Sequence, residues 1–367
     1  MKVVLTGGGT GGHIFPLIAV AREFKKNENN LELFYCGPKD SFSREAFESE
    51  NIVTYILPSG KIRRYFSLGS IFKNIIDIFF KIPFGIIKAW FLLKKIKPDF
   101  IFSKGGYGSA PIIIAGKLLS IPIYLHESDS IAGTANKITG MFAKKIFVSF
   151  PIEKVKNIPH QKMTFTGNPI RESLTQGNIK DAREKFGLLN VKPILLVLGG
   201  SQGSTRINSI IIENLDYLLE NFEIIHQTGK VDYKRILKFQ RGGYHIYDFL
   251  NEKNMADALK CCSLVISRSG SGSIFEISAN EKPSILIPLP ESAQNHQVYN
   301  AKIYEQEGAC IVIEENKLTN QLLVSSIRKI INSDSYITAA KAFSRYNSSQ
   351  LIVKEILELH NNSKNDD

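Results

Sequence analysis

The sequence predicts an α/β protein built from two Rossmann-like, doubly wound parallel-sheet halves, and three observations carry that prediction. Lys2–Thr6 reads as a short buried strand that runs into Gly7-Gly8-Gly9-Thr10-Gly11-Gly12 and then into a helical pattern from about Phe15 to Phe24. The same strand, glycine turn and helix restart at Pro193–Leu198, Gly199–Ser204 and Ile207–Leu219, a repeat of architecture and not of sequence. With 367 residues the chain is too long for one ordinary core, since domains cluster at roughly 100–200 residues each.

The remaining elements follow in order. Leu31–Cys36 is a second strand that ends at Gly37-Pro38, and further strands are expected at Ile52–Leu57, Phe100–Ser103, Ile121–His126 and Lys145–Val148. Helical patterns between several of them imply a parallel sheet covered on both faces. After the restart, strands at Phe222–Gln227, Tyr244–Tyr247, Leu264–Ser267, Ser284–Leu289 and Ala309–Ile313 fill out the second sheet. Gly167-Asn168-Pro169 punctuates the chain between the two sets, so the halves are expected at 1–168 and 169–344. A last helix, about Ser349–Leu359, lies in the segment 345–360, and the Asn/Lys/Asp tail after it is expected to fray.

The net charge of +11 calls for an anionic partner: nucleic acid, an anionic membrane surface or a phosphorylated substrate. No RNP, zinc-finger or basic-zipper pattern is present, so nucleic acid is set aside. The four cysteines, Cys36, Cys261, Cys262 and Cys310, fit neither a zinc ribbon nor a disulfide framework, which implies a reducing cytosol. The amino terminus enters a strand at once and leaves no room for a signal peptide.

Chemistry gathers at the strand ends. Gly7-x-Gly9-x-x-Gly12 formally satisfies a dinucleotide fingerprint, in which glycines let the backbone approach a phosphate at a helix N-terminus. A nicotinamide enzyme also needs an acid after the second strand, where this chain has Cys36-Gly37-Pro38, and that counts against a dehydrogenase. His13 follows the loop in the first helical turn; it is placed to take a proton from a hydroxyl, or else packs against its own loop. Gly105-Gly106-Tyr107-Gly108-Ser109 forms another glycine turn, which either offers N–H groups to a lipid phosphate or permits tight strand–helix packing. His126-Glu127-Ser128-Asp129 ends a strand with its polar side chains expected in the crevice, unless Ser128 or Asp129 caps the next helix.

In the second half, Ser267-Arg268-Ser269-Gly270-Ser271-Gly272-Ser273 opens a helix that carries Glu276. The loop suits a diphosphate and Glu276 suits ribose hydroxyls. The amides of Gln294-Asn295-His296-Gln297 suit the hydroxyls of a sugar. A different kind of segment spans Ile62–Lys97. Between Leu68 and Trp90 the polar positions Lys73, Asp77, Lys81 and Lys88 form one stripe on an otherwise apolar helix, and they interrupt it well short of spanning length. With Arg63, Arg64, Lys94, Lys95 and Lys97 at its ends and Trp90 near one of them, it reads in part as a core helix pair kinked at Pro83 and in part as an interfacial segment on an anionic membrane.

Taken together and in order, GGTGGHIFP at Gly8–Pro16, GGYGSAP at Gly105–Pro111, TGNPIR at Thr166–Arg171, GGSQGS at Gly199–Ser204, SGSGSIFE at Ser269–Glu276 and HQVYNA at His296–Ala301 resemble the MurG family. These are UDP-N-acetylglucosamine:N-acetylmuramyl-(pentapeptide) pyrophosphoryl-undecaprenol N-acetylglucosamine transferases, and the resemblance covers nearly the whole chain.

The resemblance implies a GT-B glycosyltransferase fold with an inter-domain cleft, the donor mainly on the second domain and the lipid acceptor on the first, and a C-terminal helix that returns to the first domain. It implies UDP-N-acetylglucosamine contacts at Thr10, Gly11, Gly12, Arg171, Ser201, Leu250 (through its backbone), Ser271, Gly272, Ser273, Glu276, His296 and Gln297. The family usually has Gln-Asn where Ser128-Asp129 stand, which leaves open the donor contact at Asp129; Gly272 likewise replaces a bulkier residue. The implied reaction is an inverting displacement on the cytoplasmic side of a bacterial membrane, which the protein meets through 62–97. The acceptor is a polyprenyl-pyrophosphate-linked muramyl peptide, whose phosphate Gly105 to Ser109 would meet. His13 is the candidate base and Glu127 its orienter or rival. No bound cofactor or metal is required, and a loosely held divalent cation is compatible with the site. The competing readings are a UDP-N-acetylglucosamine 2-epimerase-like isomerase and a non-catalytic nucleotide-binding module.

Overall fold

The structure is a computed structural model that describes residues 1–8, 11–60, 68–189, 191–200 and 202–365. It divides into two compact units, Met1–Pro169 with Asn347–Asp367, and Ile170–Tyr346. In the first, seven parallel strands lie in the order β3-β2-β1-β4-β5-β6-β7. They are β1 (Lys2–Thr6), β2 (Glu32–Gly37), β3 (Val53–Ile56), β4 (Phe100–Ser103), β5 (Ile123–Glu127), β6 (Lys145–Val148) and β7 (Met163–Phe165). The second sheet has six, in the order β10-β9-β8-β11-β12-β13. These are β8 (Ile194–Leu198), β9 (Glu223–Gln227), β10 (Tyr244–Tyr247), β11 (Leu264–Ser267), β12 (Ser284–Leu286) and β13 (Cys310–Val312).

Apolar strand sequence is explained by burial on both faces. Along β1, Val3 and Leu5 join one core with Leu17, Phe24 and Phe100, while Val4 between them joins another with Ile101, Leu93 and Ile113. The last helix, Ser348–Asn365, contributes Ile352, Val353 and Ile356 to the first of these cores, beside residues of the helix Gly11–Asn27. That packing holds it in register well past Leu359, so the segment expected to fray is helical as far as Asn365. Asp366 and Asp367 lie outside the described residues.

Several expectations are corrected. β7 had no counterpart in the sequence reading, because three residues, Met-Thr-Phe, carry too little pattern to be seen. The helix expected over Ile207–Leu219 is two, Thr205–Glu213 and Leu215–Asn221, broken at Asn214, whose side chain bonds back to the Ile210 carbonyl at 2.7 Å. β12 stops at Leu286 because Pro288 and Pro290 follow.

Between Leu68 and Ile96 the chain is helical throughout, with a wider π-helical turn at Asp77–Lys81 just ahead of Pro83. Its polar stripe does not face solvent as a unit. Asp77 is buried and accepts an ion pair from Lys81 at 2.7 Å, whereas Phe72, Phe79, Phe80, Phe84, Ile87 and Phe91 are exposed. Arg63 and Arg64 lie outside the described residues. Among those described, no helix is long and apolar enough to cross a membrane.

Candidate active site

Each sheet reverses its winding direction once. In the first unit the chain moves outward from β1 through β2 to β3 and then returns to the other side at β4, so the switch point lies between β1 and β4. The second unit does the same between β8 and β11. Ligands of open α/β sheets bind outside the carboxyl ends of strands at such points, and every glycine loop noted in the sequence leaves one of these four strands.

At the first switch point the helix Gly11–Asn27 begins directly after the β1 loop, which places His13 in its first turn beside the β4 loop. Gly106 has φ +83°, and a Cβ there would lie 2.9 Å from the Gly8 carbonyl oxygen and 3.4 Å from His13 Nε2. Only glycine combines that backbone with so close an approach. Gly105 is equally confined, its missing Cβ replaced by Asn136 Oδ1, a buried acceptor without a hydrogen-bond partner among the described residues. Two N–H groups of the loop are already used: Gly105 N donates to Ser103 Oγ at 3.0 Å and Ser109 N to the Gly106 carbonyl at 3.2 Å. Gly106, Tyr107 and Gly108 form the rest of the turn. Tyr107 is half-buried, and desolvation together with Asp40 raises its hydroxyl pKa.

The β5 end departs from expectation. His126 is fully buried and does not face the crevice; its Nε2 contacts the Gly167 carbonyl at 3.0 Å. Glu127 is buried too, and accepts from Asp129 N at 3.0 Å, Gly133 N at 3.2 Å and Asn136 Nδ2 at 2.8 Å. Burial, reinforced by Asp129, pushes its carboxyl up to about 7. Neither Ser128 nor Asp129 caps the next helix, Thr134–Thr139, because Ser130–Gly133 intervenes and Gly133 is the cap. Asp129 is only half-buried beside this cluster.

At the second switch point the helix Ser271–Ala279 starts without a side-chain cap, which leaves its first-turn N–H groups, those of Gly272 and Ser273 among them, directed past the end of β11. Ser271 Oγ is buried there with no hydrogen-bond partner among the described residues. Further along this helix Glu276 lies 3.7 Å from Arg171, whose other nitrogen meets Glu252 at 3.1 Å. Desolvation raises the Glu276 carboxyl pKa and Arg171 opposes the rise. Gln297 is tied into the same end: its carbonyl accepts from Ser269 Oγ at 2.9 Å and its side chain accepts from Leu289 N at 3.1 Å. His296 bonds the Ala293 carbonyl at 2.8 Å, in its own turn. Leu250 is buried with its N–H held by Gln227 Oε1 at 2.9 Å. Thr10 and Ser201 lie outside the described residues.

Sequence reasoning passed over Lys104, Arg268 and Glu252. Lys104 is buried beside the β5 cluster. Arg268 donates to Ser204 Oγ at 2.7 Å and to the Ile287 and Pro288 carbonyls at 3.1 Å each, so it joins the β8 loop to the end of β12. Both follow an apolar strand without a spacer, a position where a cation must be buried and paired, and that was the available signal. Glu252 carried no such signal, since it opens an ordinary helix and meets Arg171 only through the fold.

The glycosyltransferase family 28 N-terminal domain matches residues 3–148 and the family 28 C-terminal domain matches 194–356. The chain is 38% identical over 359 residues to the UDP-N-acetylglucosamine--N-acetylmuramyl-(pentapeptide) pyrophosphoryl-undecaprenol N-acetylglucosamine transferase 3 of Bacillus thuringiensis (strain Al Hakam), covering 97% of this chain and 99% of that one. It is 40% identical over 338 residues to the transferase of the same name from Clostridium botulinum (strain Langeland), covering 92% and 93%. Among solved structures, MurG of Acinetobacter baumannii superposes with a TM-score of 0.73 at 23% identity, over 97% of this chain and 99% of that one. The UDP-GlcNAc 2-epimerase of Neisseria meningitidis, bound to UDP-GlcNAc, superposes at 0.68 and 17% identity, over 98% and 100%. The structural likenesses establish a fold of GT-B type, and the sequence identities go further. The chain belongs to glycosyltransferase family 28 and, within it, to the UDP-N-acetylglucosamine--N-acetylmuramyl-(pentapeptide) pyrophosphoryl-undecaprenol N-acetylglucosamine transferases.

Proposed function

We propose that this enzyme moves N-acetylglucosamine from UDP-N-acetylglucosamine to the C4 hydroxyl of the muramyl sugar of a polyprenyl-pyrophosphoryl muramyl peptide, the step that completes the lipid-linked disaccharide of peptidoglycan. The observation that carries the reading is near-full-length identity of 38–40% to transferases of that name. The second-unit loop supplies the donor chemistry: the uncapped helix start at Ser271–Ser273 would meet the diphosphate, and Glu276, steadied by Arg171, would accept the ribose hydroxyls. As UDP leaves through an oxocarbenium-like transition state, those preorganised N–H groups oppose the growing negative charge. His13, next to Gly106, would take the proton of the attacking hydroxyl, and Glu127 would support it electrostatically or act as the base itself.

The exposed phenylalanines of Leu68–Ile96 support a peripheral membrane site. Phe79 and Phe80 are 69% and 68% exposed, and Lys88 and Lys94 stack over Phe84 and Trp90 at 4.7 and 3.8 Å, so that apolar and cationic groups share one surface. A nucleotide-sugar donor puts this surface on the cytoplasmic leaflet.

The test is transfer of radiolabelled N-acetylglucosamine from UDP-N-acetylglucosamine to a muramyl-pyrophosphoryl-polyprenol analogue in detergent, with UDP release followed in parallel. Labelled lipid is the expected result. UDP release or binding without labelled lipid would return the protein to the epimerase-like or binding-module reading.

A further inference from the structure

We propose that Glu252 is a positioning residue for the donor: it takes the direct hydrogen bond of Arg171, so that Arg171 balances the charge of Glu276 from a distance and leaves that carboxylate open to the ribose hydroxyls. This rests on the reading above that Glu276 accepts those hydroxyls.

Arg171 is buried and lies between two carboxylates. Its Nη1 donates to Glu252 Oε2 at 3.1 Å, a charge-assisted hydrogen bond. Its Nη2 lies 3.7 Å from Glu276 Oε1, near enough for attraction between charges and too far for a hydrogen bond. The two acids are therefore held differently. Glu252 spends both oxygens on its own attachments, since Oε1 accepts from Ser173 Oγ. Glu276 keeps its lone pairs: among the described residues no donor lies within hydrogen-bond distance of its carboxylate. An arginine released by Glu252 would close on Glu276, and a bidentate pair of that kind occupies both carboxylate oxygens.

The backbone gives this clamp a rigid base. Glu252 is the first residue of the helix Glu252–Cys261, whose cap Asn251 accepts from Asn254 N at 2.9 Å. A carboxylate in the first helical turn is stabilised there by the helix dipole. The segment that carries Arg171 is fastened along the same helix. Asn178 N donates to Asp257 Oδ1 at 2.8 Å, and a Cβ on Gly177 would stand 2.1 Å from the Ala256 carbonyl oxygen. Glu276 comes from a different element, the helix Ser271–Ala279. Its separation from the guanidinium is thus set by where Glu252 stops Arg171, with Ser173 holding Glu252 in turn.

The test is calorimetric titration of the full-length enzyme with UDP and with dideoxyuridine diphosphate, whose sugar lacks both ribose hydroxyls. The variants are Glu252→Gln, which keeps the size and loses the charge, and Glu252→Ala, which serves should the amide disturb the fold. Glu276→Ala is the control for the reading itself. The parent is expected to bind UDP about tenfold or more tighter than the dideoxy analogue, the effect of hydrogen bonds to a charged acceptor. Glu276→Ala should erase that preference. Loss of Glu252 should weaken UDP about tenfold while affinity for the dideoxy analogue stays within about twofold, so that the preference collapses with Glu276 still in place. Equal losses for both ligands, or an undiminished preference, would make Glu252 a structural residue only and overturn the proposal. A preference that survives Glu276→Ala, or a parent without one, would place the ribose away from Glu276 and remove that reading together with the proposal.

Discussion

The chemistry assigned here turns on a few side chains whose environments differ more than their sequence neighbours suggest. His13 and His126 are both histidines at strand ends, yet one stands beside the open glycine loop and the other is sealed against the Gly167 carbonyl. In the proposed mechanism only the first meets a substrate hydroxyl. Replacing His13 by alanine should therefore lower kcat by about 10²-fold or more, in the range of a lost general base. UDP affinity should stay within about twofold, because the diphosphate site proposed here is built on the second-unit loop. Steady-state kinetics with the lipid analogue and calorimetric titration of UDP read the two quantities separately. Parent-rate turnover would remove His13 from the mechanism.

At the scale of the element, the helical path from Leu68 to Ile96 shows how one segment serves both core and surface. Ala89, Leu93 and Ile96 pack inward with Ile112 and Ile113, while Phe79, Phe80 and Phe91 on the same path are each more than 60% exposed. Asp77, buried and paired with Lys81, is withdrawn from this aromatic and cationic surface. A triple replacement of Phe79, Phe80 and Phe91 by serine should leave the melting temperature within a few degrees, since these rings contribute little to the core. The same variant should weaken sedimentation with anionic phospholipid vesicles by about a hundredfold or more, given roughly 1 kcal/mol or more for each of the three rings that enters the interface. Unchanged vesicle binding would locate the membrane contact elsewhere.

For the whole molecule, each unit carries a buried neutral histidine. His226 lies between Tyr244 and Asn208 at 2.7 and 3.0 Å and is pushed down to about 3, mainly by burial; His126 is held well below its ordinary value. A histidine whose folded pKa is depressed contributes stability that is complete above about 6.5 and is lost as pH falls toward the folded value, because the unfolded chain takes up a proton that the fold refuses. Stability to urea should therefore decline between pH 6.5 and 5, with each such histidine adding up to about 1.4 kcal/mol per pH unit. His226→Gln should flatten the decline of the second unit by that amount, and an unchanged slope would rule out His226 as a source. Much of this architecture was legible beforehand. Apolar strands between glycine turns, repeated after Pro193, determined two parallel-sheet units and the loops that line their switch points, because hydrophobic periodicity and glycine placement are local properties. Ordered motif blocks likewise singled out His13, Arg171, Glu276 and Gln297 as candidates. What the residue string left undecided was which polar side chains at those loops are sealed and which are open. Lys104 and Asn168 meet though they stand 64 positions apart, Glu252 meets Arg171 across 81, and Asp77 is buried although the polar stripe it belongs to also carries the exposed Lys81 and Lys88. Burial and pairing of charge depend on which strands become neighbours, and only the tertiary structure decides that.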